Sequence, residues 1–414
     1  MSDLLLTSIG RLNTMDPSVG TLENAEILVS GGIISWIGEA GQGAARCEGV
    51  VVERLDCGGN AVLPALVDSH THLLFGGDRA SEFALRSSGV SYEEIAKQGG
   101  GIRSTVAATR DASEEELLNS ALPRLDSMLR RGVSCVEIKS GYGLDIATEL
   151  KMLRVIEQLN ARHPIEIVAT FLGAHTVPAE FKGRTDDYVD HVMNDMLPAV
   201  AEQGVAEYCD VFCEEGAFTV AQTRRIFERA VDCGLRLKLH AEQLHHTGGT
   251  ALAAEMGADS VDHLEMCVDS DVEALANSGQ TTAVLLPGAT LYLGLNDWAP
   301  ARKLIDAGVK VALATDCNPG SCMCDDLPLM TTLACTRLGM SPQEALSAVT
   351  HGAACAVGRG HERGQIALGK VGDFLILDAT HEEQLPYRFG RVPALAVVVA
   401  GKIVSGPGRK TISY

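Results

Sequence analysis

The sequence predicts an α/β protein in which eight parallel strands alternate with helices and close into a barrel, beside a small β-domain built from both chain ends. Three observations lead to this fold class. Both ends consist of short strand-like runs broken by glycine, the middle alternates apolar strands with helical periods, and polar residues follow several of those strands. We place the β-domain at residues 1–60 plus 360–414 and the barrel at residues 61–359.

The two chain ends share a β pattern. Near the start, Ala25–Gly38 contains two strand-like runs around the hairpin signal Gly31-Gly32. Near the end, Asp373–Leu377 and Ala396–Val404 are β-branched runs that follow a glycine-rich stretch from Gly358 to Gly372. We therefore expect the two ends to pair with each other in one small β-domain.

The middle of the chain consists of repeated strand and helix units. Helical periodicity is clearest over Thr148–Arg162, Val220–Cys233 and Ser341–Val349, where apolar residues recur at every third and fourth position. Each predicted barrel strand is a short apolar run followed by a polar turn. The eight runs are Ala61–Val67, Ser134–Ile138, Ile165–Phe171, Ala206–Phe212, Arg236–Leu239, Asp259–Asp262, Gln280–Leu285 and Lys310–Ala314.

Composition excludes several classes of protein. Apolar residues make up 46% and charged residues 21% of the 414 residues, as in an ordinary globular chain. The formal net charge of −20 opposes a nucleic-acid partner, so any anion site must be locally basic. Met1–Ile9 does not resemble a signal peptide and no long apolar run follows, so we expect a cytoplasmic protein without a membrane partner.

The twelve cysteines are irregularly spaced, which is typical of reduced thiols in a large intracellular enzyme. Three of them, Cys317, Cys322 and Cys324, lie close to Asp316. We interpret these three as residues that pack in a turn, although thiolates are also able to bind metals.

The strongest chemical signal is a pair of histidines at the end of the first predicted strand. The run Leu63–His72 ends in His70, Thr71 and His72. Residues two apart at a strand end point to the same side, so both imidazoles can reach a single cation. By itself the pair is equally compatible with two surface histidines.

Three more polar residues end later strands of the predicted barrel. His240 ends the fifth strand, His263 the sixth and Asp316 the eighth. The carboxyl ends of all barrel strands meet on one face, so these side chains become neighbours despite their separation in sequence. The joint pattern favours a metal site over histidines that merely cap strands or pack in a core.

This set of residues resembles the amidohydrolase superfamily over essentially the whole chain. The resemblance implies a distorted eightfold (β/α) TIM-type barrel with a small β-sandwich domain formed from both termini. Many two-metal members carry a carboxylated lysine at the end of the fourth strand, but Tyr208–Glu214 contains no lysine. We therefore expect one divalent metal ion per chain, and its ligands suit zinc and iron equally.

Six further strings resemble, in this order, the imidazolonepropionase family. They are Gly99-Gly-Gly-Ile102, Lys139-Ser-Gly-Tyr-Gly-Leu144, Phe171-Leu-Gly-Ala-His-Thr-Val-Pro178, Val211-Phe-Cys-Glu214, Val261-Asp-His-Leu-Glu265 and Thr315-Asp-Cys-Asn-Pro-Gly-Ser321. The resemblance implies that the metal ligands are His70, His72, His240 and Asp316. It also implies substrate contacts from Arg79, Tyr142, His175, Gln243, Asn318, Gly320 and Ser321.

The implied reaction belongs to histidine degradation. A metal-activated water would hydrolyse the cyclic amide of 4-imidazolone-5-propanoate to N-formimidoyl-L-glutamate, with His263 and Asp316 as the catalytic residues. Which of the two is the general base stays open, because they would titrate as a coupled pair. The substrate is a small anionic lactam, and the planar guanidinium of Arg79 suits its carboxylate.

Two other functions fit parts of the pattern. A deaminase of the same superfamily carries a glutamate three residues after the fifth-strand histidine, where this chain has Gln243 in His240-Ala-Glu-Gln243. An amide cannot relay a proton as a carboxylic acid does, so deamination would require Glu242 to turn inward. A metal-free binding protein should lack ligands, and none is missing. We also expect a homodimer.

Overall fold

Two eight-stranded sheets organise the part of the chain that the computed structural model describes, residues 3–47, 51–90, 94, 100–391 and 393–406. Strands from both chain ends form one sheet, and the middle of the chain forms the other. Gly99 of the predicted glycine string lies outside the described residues, as do residues 1–2, 48–50, 392 and 407–414 of the predicted terminal domain.

The terminal sheet joins the two ends of the chain, as predicted. Its strands are β1 (Asp3–Asn13), β2 (Thr21–Ser30), β3 (Ile33–Glu39), β4 (Val52–Asp56), β5 (Ala61–Pro64), β14 (Phe374–Leu377), β15 (Ala394–Val399) and β16 (Lys402–Ser405). The order is β16-β15-β14-β5-β1-β2-β3, with β4 paired to β1. The antiparallel pairing of β14 with β5 is the link between the ends, and an apolar core that includes Leu4, Ile27 and Phe374 covers one face.

The predicted hairpin at Gly31-Gly32 is confirmed. Strands β2 and β3 run antiparallel with Ser30 opposite Ile33, so the two glycines form the connection. Their φ values of 61° and 88° lie in the left-handed region that glycine adopts without steric cost.

The second sheet is parallel throughout and follows the chain order. Its strands are β6 (Leu66–Asp68), β7 (Val133–Lys139), β8 (Glu166–Ala174), β9 (Tyr208–Cys213), β10 (Arg236–Ala241), β11 (Ser260–His263), β12 (Thr282–Leu285) and β13 (Val311–Leu313). All eight predicted strands are present. The first differs in one respect: Ala61–Val67 divides at Ala65, and its first half belongs to the terminal sheet instead of the barrel.

Helices follow or connect the barrel strands. The three helices with the clearest periodicity are confirmed at Ile146–Arg162, Val220–Asp232 and Pro342–Ala348, and Ser341 caps the last of them. Within the described residues, the other α-helices between barrel strands or after them are Ala80–Ser87, Ile102–Asp111, Glu114–Arg130, Thr185–His191, Leu197–Gln203, Gly249–Glu255, Asp269–Ser278, Pro287–Leu293, Ala301–Asp306, Leu327–Arg337 and His351–Ala356. Two short helices, Gly43–Arg46 and Gln384–Tyr387, lie between strands of the terminal sheet. None of the helices in the described ranges is long and apolar enough to cross a membrane.

Hydrogen bonds between the ends of β6 and β13 and the residues that follow them join the first and last strands of the barrel, and we call this junction the seam. Asp316 donates its backbone N–H to the carbonyl of His70 (3.1 Å), and His72 donates to the carbonyl of Cys317 (3.0 Å). At the end of β6, two residues before His70, the Asp68 carboxylate accepts from the backbone N–H and the hydroxyl of Thr315 at 3.1 and 2.7 Å. The residues that close the barrel are thus the neighbours of the predicted metal ligands, or the ligands themselves.

All twelve cysteines are free thiols. Cys317 and Cys322 are buried and Cys324 is half-buried, and Cys322 packs against Gly288. Within the described residues, none of the three belongs to a group of side chains spaced to hold a metal ion. Their position agrees with the prediction that they pack in a turn.

Candidate metal centre and active site

The four predicted metal ligands meet at the carboxyl end of the barrel. His70 and His72 follow β6, His240 lies in β10, and Asp316 follows β13. Their side chains are almost fully buried, from 0 to 4% exposed. The Nε2 atoms of His72 and His240 are 3.2 Å apart, and Asp316 Oδ1 lies 3.6 Å from His70 Nε2 and 3.7 Å from His72 Nε2.

These spacings fit a small divalent cation. Ligand atoms at the usual zinc distances of about 2.0–2.1 Å in a tetrahedral arrangement lie roughly 3.3 Å from one another. Among the described residues, His70 Nε2 is a buried atom without a hydrogen-bond partner, although buried polar atoms are nearly always paired. A cation shared by these atoms would satisfy it, so the residues fit the ion that the sequence predicts.

Two buried carboxylates determine which ring nitrogen faces the centre. Asp262 Oδ2 lies 2.7 Å from His70 Nδ1, and Asp210 Oδ1 lies 3.0 Å from His240 Nδ1. Each carboxylate accepts the Nδ1 proton, which leaves the Nε2 lone pair free for a metal ion. Neither aspartate was predicted from the sequence.

Burial keeps these imidazoles neutral. It lowers the pKa of His70 and His72 well below 6.5. It lowers the pKa of His240 to about 4, although the Asp210 carboxylate opposes the shift. A neutral imidazole has a lone pair to give, so at neutral pH no proton competes with a cation for these histidines.

His263 lies at the end of β11, on the other side of the centre. Its ring centroid is 5.7 Å from that of His70 and 5.5 Å from that of His240. Burial alone would lower its pKa, but the carboxylates of Glu265 and Asp316 outweigh burial and raise it. The two carboxylates therefore favour the protonated form of His263.

Backbone strain occurs at both predicted catalytic residues. The φ angles are 86° at His263 and 52° at Asp316, a region that costs about 1–3 kcal/mol for a residue with a side chain. Burial raises the pKa of Asp316 to about 6, while His263 and the hydrogen bonds from Asn318 and Ser321 lower it. A bound cation would lower this pKa again, because it favours the carboxylate.

Aromatic rings form one wall beside the metal ligands. His175 stacks on His72 with centroids 5.1 Å apart, and Tyr142 lies 6.0 Å from His72 and 5.5 Å from His175. His175 Nδ1 is 3.0 Å from the carbonyl oxygen of Gly141, and burial lowers the pKa of His175 to about 4. Burial also raises the pKa of Tyr142, so its hydroxyl stays protonated.

A buried glutamate holds the loop that carries Tyr142. The Glu149 carboxylate accepts the backbone N–H groups of Gly141, Gly143 and Leu144 at 2.8 to 3.2 Å. Three backbone donors on one carboxylate leave this loop little freedom, so the Tyr142 side chain is fixed in place.

The opposite wall contains Arg79 and the loop after β13. Arg79 donates through Nε to Glu82 at 2.8 Å, and its Nη1 packs so closely on Gly320 that a Cβ there would lie 2.2 Å away. Asn318 Oδ1 accepts the backbone N–H groups of Gly320 and Ser321, at 2.8 and 2.7 Å. The structure thus brings Gly320 next to Arg79, and Asn318 holds the part of the loop that contains Gly320 and Ser321.

The backbone conformation and hydrogen bonds of the segment after His240 orient the Glu242 side chain. Glu242 has a φ of 51°, and both its carboxylate oxygens accept from the stretch 247–250, including the Thr250 hydroxyl at 2.6 Å. Donors at and just before the start of the helix Gly249–Glu255 therefore use both oxygens of this carboxylate. Gln243 follows two residues beyond the end of β10 and is half-buried.

Asp210 and Asp262, which the sequence analysis did not assign to the site, belong to a charged cluster inside the barrel. The cluster is formed by Glu137, Lys139, Asp210, Lys238 and Asp262. All five side chains are fully buried. A signal was available, because charged residues recur at every second position in otherwise apolar strands, as in Glu137/Lys139 of β7. That alternation places them on the inner face of the barrel.

Comparisons with known proteins agree with this geometry. The profile of the Amidohydrolase family matches residues 95–405. An imidazolonepropionase from Bacillus cytotoxicus is 46% identical, with 94% of each chain covered, and one from Alkaliphilus metalliredigens is 44% identical, with 99% of each chain covered.

Solved structures share the fold at lower identity. A triazine hydrolase variant superposes with a TM-score of 0.73 at 20% identity, covering 100% of this chain and 96% of that one. An adenosine deaminase from Xanthomonas campestris with bound zinc has a TM-score of 0.68 at 21% identity, covering 97% of this chain and 92% of that one. At such identities the likeness concerns the fold alone.

Proposed function

The chain belongs to the imidazolonepropionase family of the amidohydrolases, and from this premise we propose that it opens the ring of 4-imidazolone-5-propanoate to give N-formimidoyl-L-glutamate. It is a hydrolase of carbon–nitrogen bonds in cyclic amides. The observation that carries the proposal is a site in which His70, His72 and Asp316 are close enough together to share an ion. His240 lies 3.2 Å from His72, and the chain is similar over nearly its full length to members of this family.

The proposed cofactor is one divalent ion, zinc or iron, held by His70, His72, His240 and Asp316. When bound there, such an ion would polarise the ring carbonyl and lower the pKa of water to about 7. The orphaned Nε2 of His70 and the neutral state of the three imidazoles support this assignment.

Proton transfer is the proposed task of Asp316 and His263. Asp316 accepts the proton of the attacking water and delivers it to the ring nitrogen as the carbon–nitrogen bond breaks. His263 donates a hydrogen bond to the oxygen that gains negative charge when the ring carbonyl is attacked.

Recognition of the substrate is the proposed task of the two walls. Arg79 pairs with the propionate, because its guanidinium is a cation in a chain whose net charge is negative. Tyr142 and His175 contact the substrate ring from one side. Gln243 contacts the edge of that ring next to His240. The loop residues Asn318, Gly320 and Ser321 contact it from the other side.

Deamination is less well supported by the geometry. It would require a carboxylic acid near His240 to relay protons, and the candidate is Glu242. Both oxygens of that carboxylate are engaged by the stretch 247–250, away from the centre. The neighbouring Gln243 has an amide, which positions a ligand but does not shuttle protons.

The test is an assay of the purified protein on 4-imidazolone-5-propanoate, followed by the loss of ring absorbance, with ammonia release measured on aminopurines and aminopyrimidines in parallel. We expect ring opening without ammonia, and elemental analysis should find about one divalent ion per chain. Ammonia release in place of ring opening would overturn the proposal, and two ions per chain would refute the mononuclear centre.

We also propose that residues 1–60 and 360–414, together with strand β5 (Ala61–Pro64) of the terminal sheet, form a β-sandwich domain. Its separate apolar core supports this assignment. The homodimer and the cytoplasmic location remain predictions, to be checked by light scattering and by fractionation of cells.

A further inference from the structure

The ammonium group of Lys139 contacts three carboxylates of the buried charged cluster. Lys139 is the last residue of β7, and its side chain is 0% exposed. Its Nζ lies 2.7 Å from Glu137 Oε1, 2.7 Å from Asp210 Oδ2 and 3.6 Å from Asp262 Oδ2. Burial alone would lower the pKa of Lys139, but these three carboxylates outweigh burial and raise it, so the side chain is a cation.

Two of these carboxylates lead directly to the metal centre. Asp210 holds Nδ1 of His240, and Asp262 holds Nδ1 of His70. In both cases the chain of contacts runs from the Lys139 ammonium through a carboxylate to an imidazole whose Nε2 faces the centre. Two of the four proposed ligands, which come from strands on different sides of the barrel, therefore share one cation.

We infer that Lys139 is a positioning residue that fixes the orientation of both His70 and His240 and thereby sets the affinity of the centre for its divalent ion. The inference deepens the proposed function and rests on its metal site. Without the ammonium, the carboxylates of Asp210 and Asp262 would be like charges in a water-free interior, where unpaired charge is very costly. They would repel each other and turn apart, and this movement would release the imidazoles that they hold.

The chain offers a matched control for the loss of a buried cation. Lys238 is equally buried and belongs to β10, two residues before His240. Its Nζ donates to the backbone carbonyls of Ser69 and Ala356 at 3.0 and 3.2 Å and lies 3.4 Å from Glu137. Its nearest contacts are thus with backbone oxygens and with Glu137, which holds neither histidine, although its charge also acts on Asp262.

The experiment measures zinc affinity instead of activity. Wild type, Lys139→Met and Lys238→Met are stripped of metal, and the zinc Kd is determined by competition with a chromogenic chelator at fixed pH and ionic strength. We expect Lys139→Met to bind zinc more weakly, by up to about 10- to 100-fold, the loss caused by removing the hydrogen-bond partner of a metal ligand. We expect a clearly smaller loss in Lys238→Met, because the nearest carboxylate of Lys238 is Glu137. Equal losses in both variants, or none in Lys139→Met, would overturn the inference.

A cycle of double substitutions distinguishes positioning from a general loss of structure. If Lys139 acts through the aspartates, Lys139→Met combined with Asp210→Asn should cost clearly less zinc affinity than the sum of the two single losses. The visible spectrum of the cobalt(II)-loaded protein should also change in Lys139→Met and stay unchanged in Lys238→Met. Additive losses or an unaltered cobalt spectrum would contradict the inference.

A second variant keeps the inference testable if Lys139→Met does not fold. If Lys139→Met is insoluble, Lys139→Met/Glu137→Gln also removes one of the anions left unpaired, and the same loss of zinc affinity is expected. Wild-type affinity in that folded variant would overturn the inference. A wild type that does not bind zinc or iron would instead refute the metal site of the proposed function, so the two failures are distinguishable.

Discussion

Gly320→Ala should weaken recognition of the propionate group through Arg79. The glycine has no positive φ, so alanine fits its backbone. Its Cβ, however, would lie 2.2 Å from Arg79 Nη1 and 3.1 Å from Cζ, where a contact shorter than 3.0 Å is not tolerated. The guanidinium is the far end of a flexible side chain, so it will move while the loop stays in place.

The magnitude follows from the interaction that this movement breaks. A hydrogen bond to a charged group contributes about 1.5–3 kcal/mol, and its loss corresponds to roughly a 10- to 150-fold drop in kcat/KM. We expect the drop to appear mainly in KM, since Arg79 lies outside the set of proposed ligands. Metal content should not change, and Tm should stay within a few degrees because only the side chain relocates.

The assay is a double-substitution cycle on 4-imidazolone-5-propanoate and on an analogue without the carboxylate. Arg79→Met should reproduce the loss on the propionate substrate, and adding Gly320→Ala to it should cost almost nothing more. Both single variants should handle the analogue like wild type. A full additional loss in the double variant, or an equal loss on the analogue, would refute the reasoning that the glycine acts by making room for Arg79.

Four further outcomes are expected. His240→Ala should lose both bound metal, measured by elemental analysis, and activity, and full activity without added metal would mean that the site is misplaced. Gln243→Glu should leave ring opening level or lower it, because a second anion repels the propionate; ammonia release that rises in this variant would indicate a deaminase. Glu149→Gln places an amide among backbone N–H groups and should lower kcat/KM about 10-fold or more at unchanged metal content. Because burial raises the pKa of Tyr142 above 10, its hydroxyl stays protonated, and Tyr142→Phe should leave the alkaline limb of the pH–rate profile at the same pH.

The positions of the metal ligands could be predicted from the sequence because two simple geometric rules apply to them. Side chains two apart share a face of a strand, and parallel strands in a barrel end on one face. His70 and His72 satisfy the first rule, and all four proposed ligands, with His240 and Asp316, satisfy the second. The structure places each of them within 4 Å of a neighbour in the set. The roles of these residues remain proposals.

Other features depend on local conformation that a pattern does not contain. The direction of Glu242 follows from a φ of 51° and from hydrogen bonds with the next helix, neither of which periodicity reveals. The split of Ala61–Val67 at Ala65 arises because one apolar run serves two sheets. Asp210 and Asp262 were missed because charged residues in a strand usually face solvent, whereas here a buried lysine balances them.

The seam that closes the barrel has a consequence for biosynthesis. It joins residues that lie 247 positions apart in the chain, as in the contact of Asp68 with Thr315. A ribosome releases the two histidines after β6 long before it makes Asp316. If the ion is bound as proposed, the full set of ligands would exist only after translation of nearly the whole barrel, and the ion would then stabilise this long-range contact.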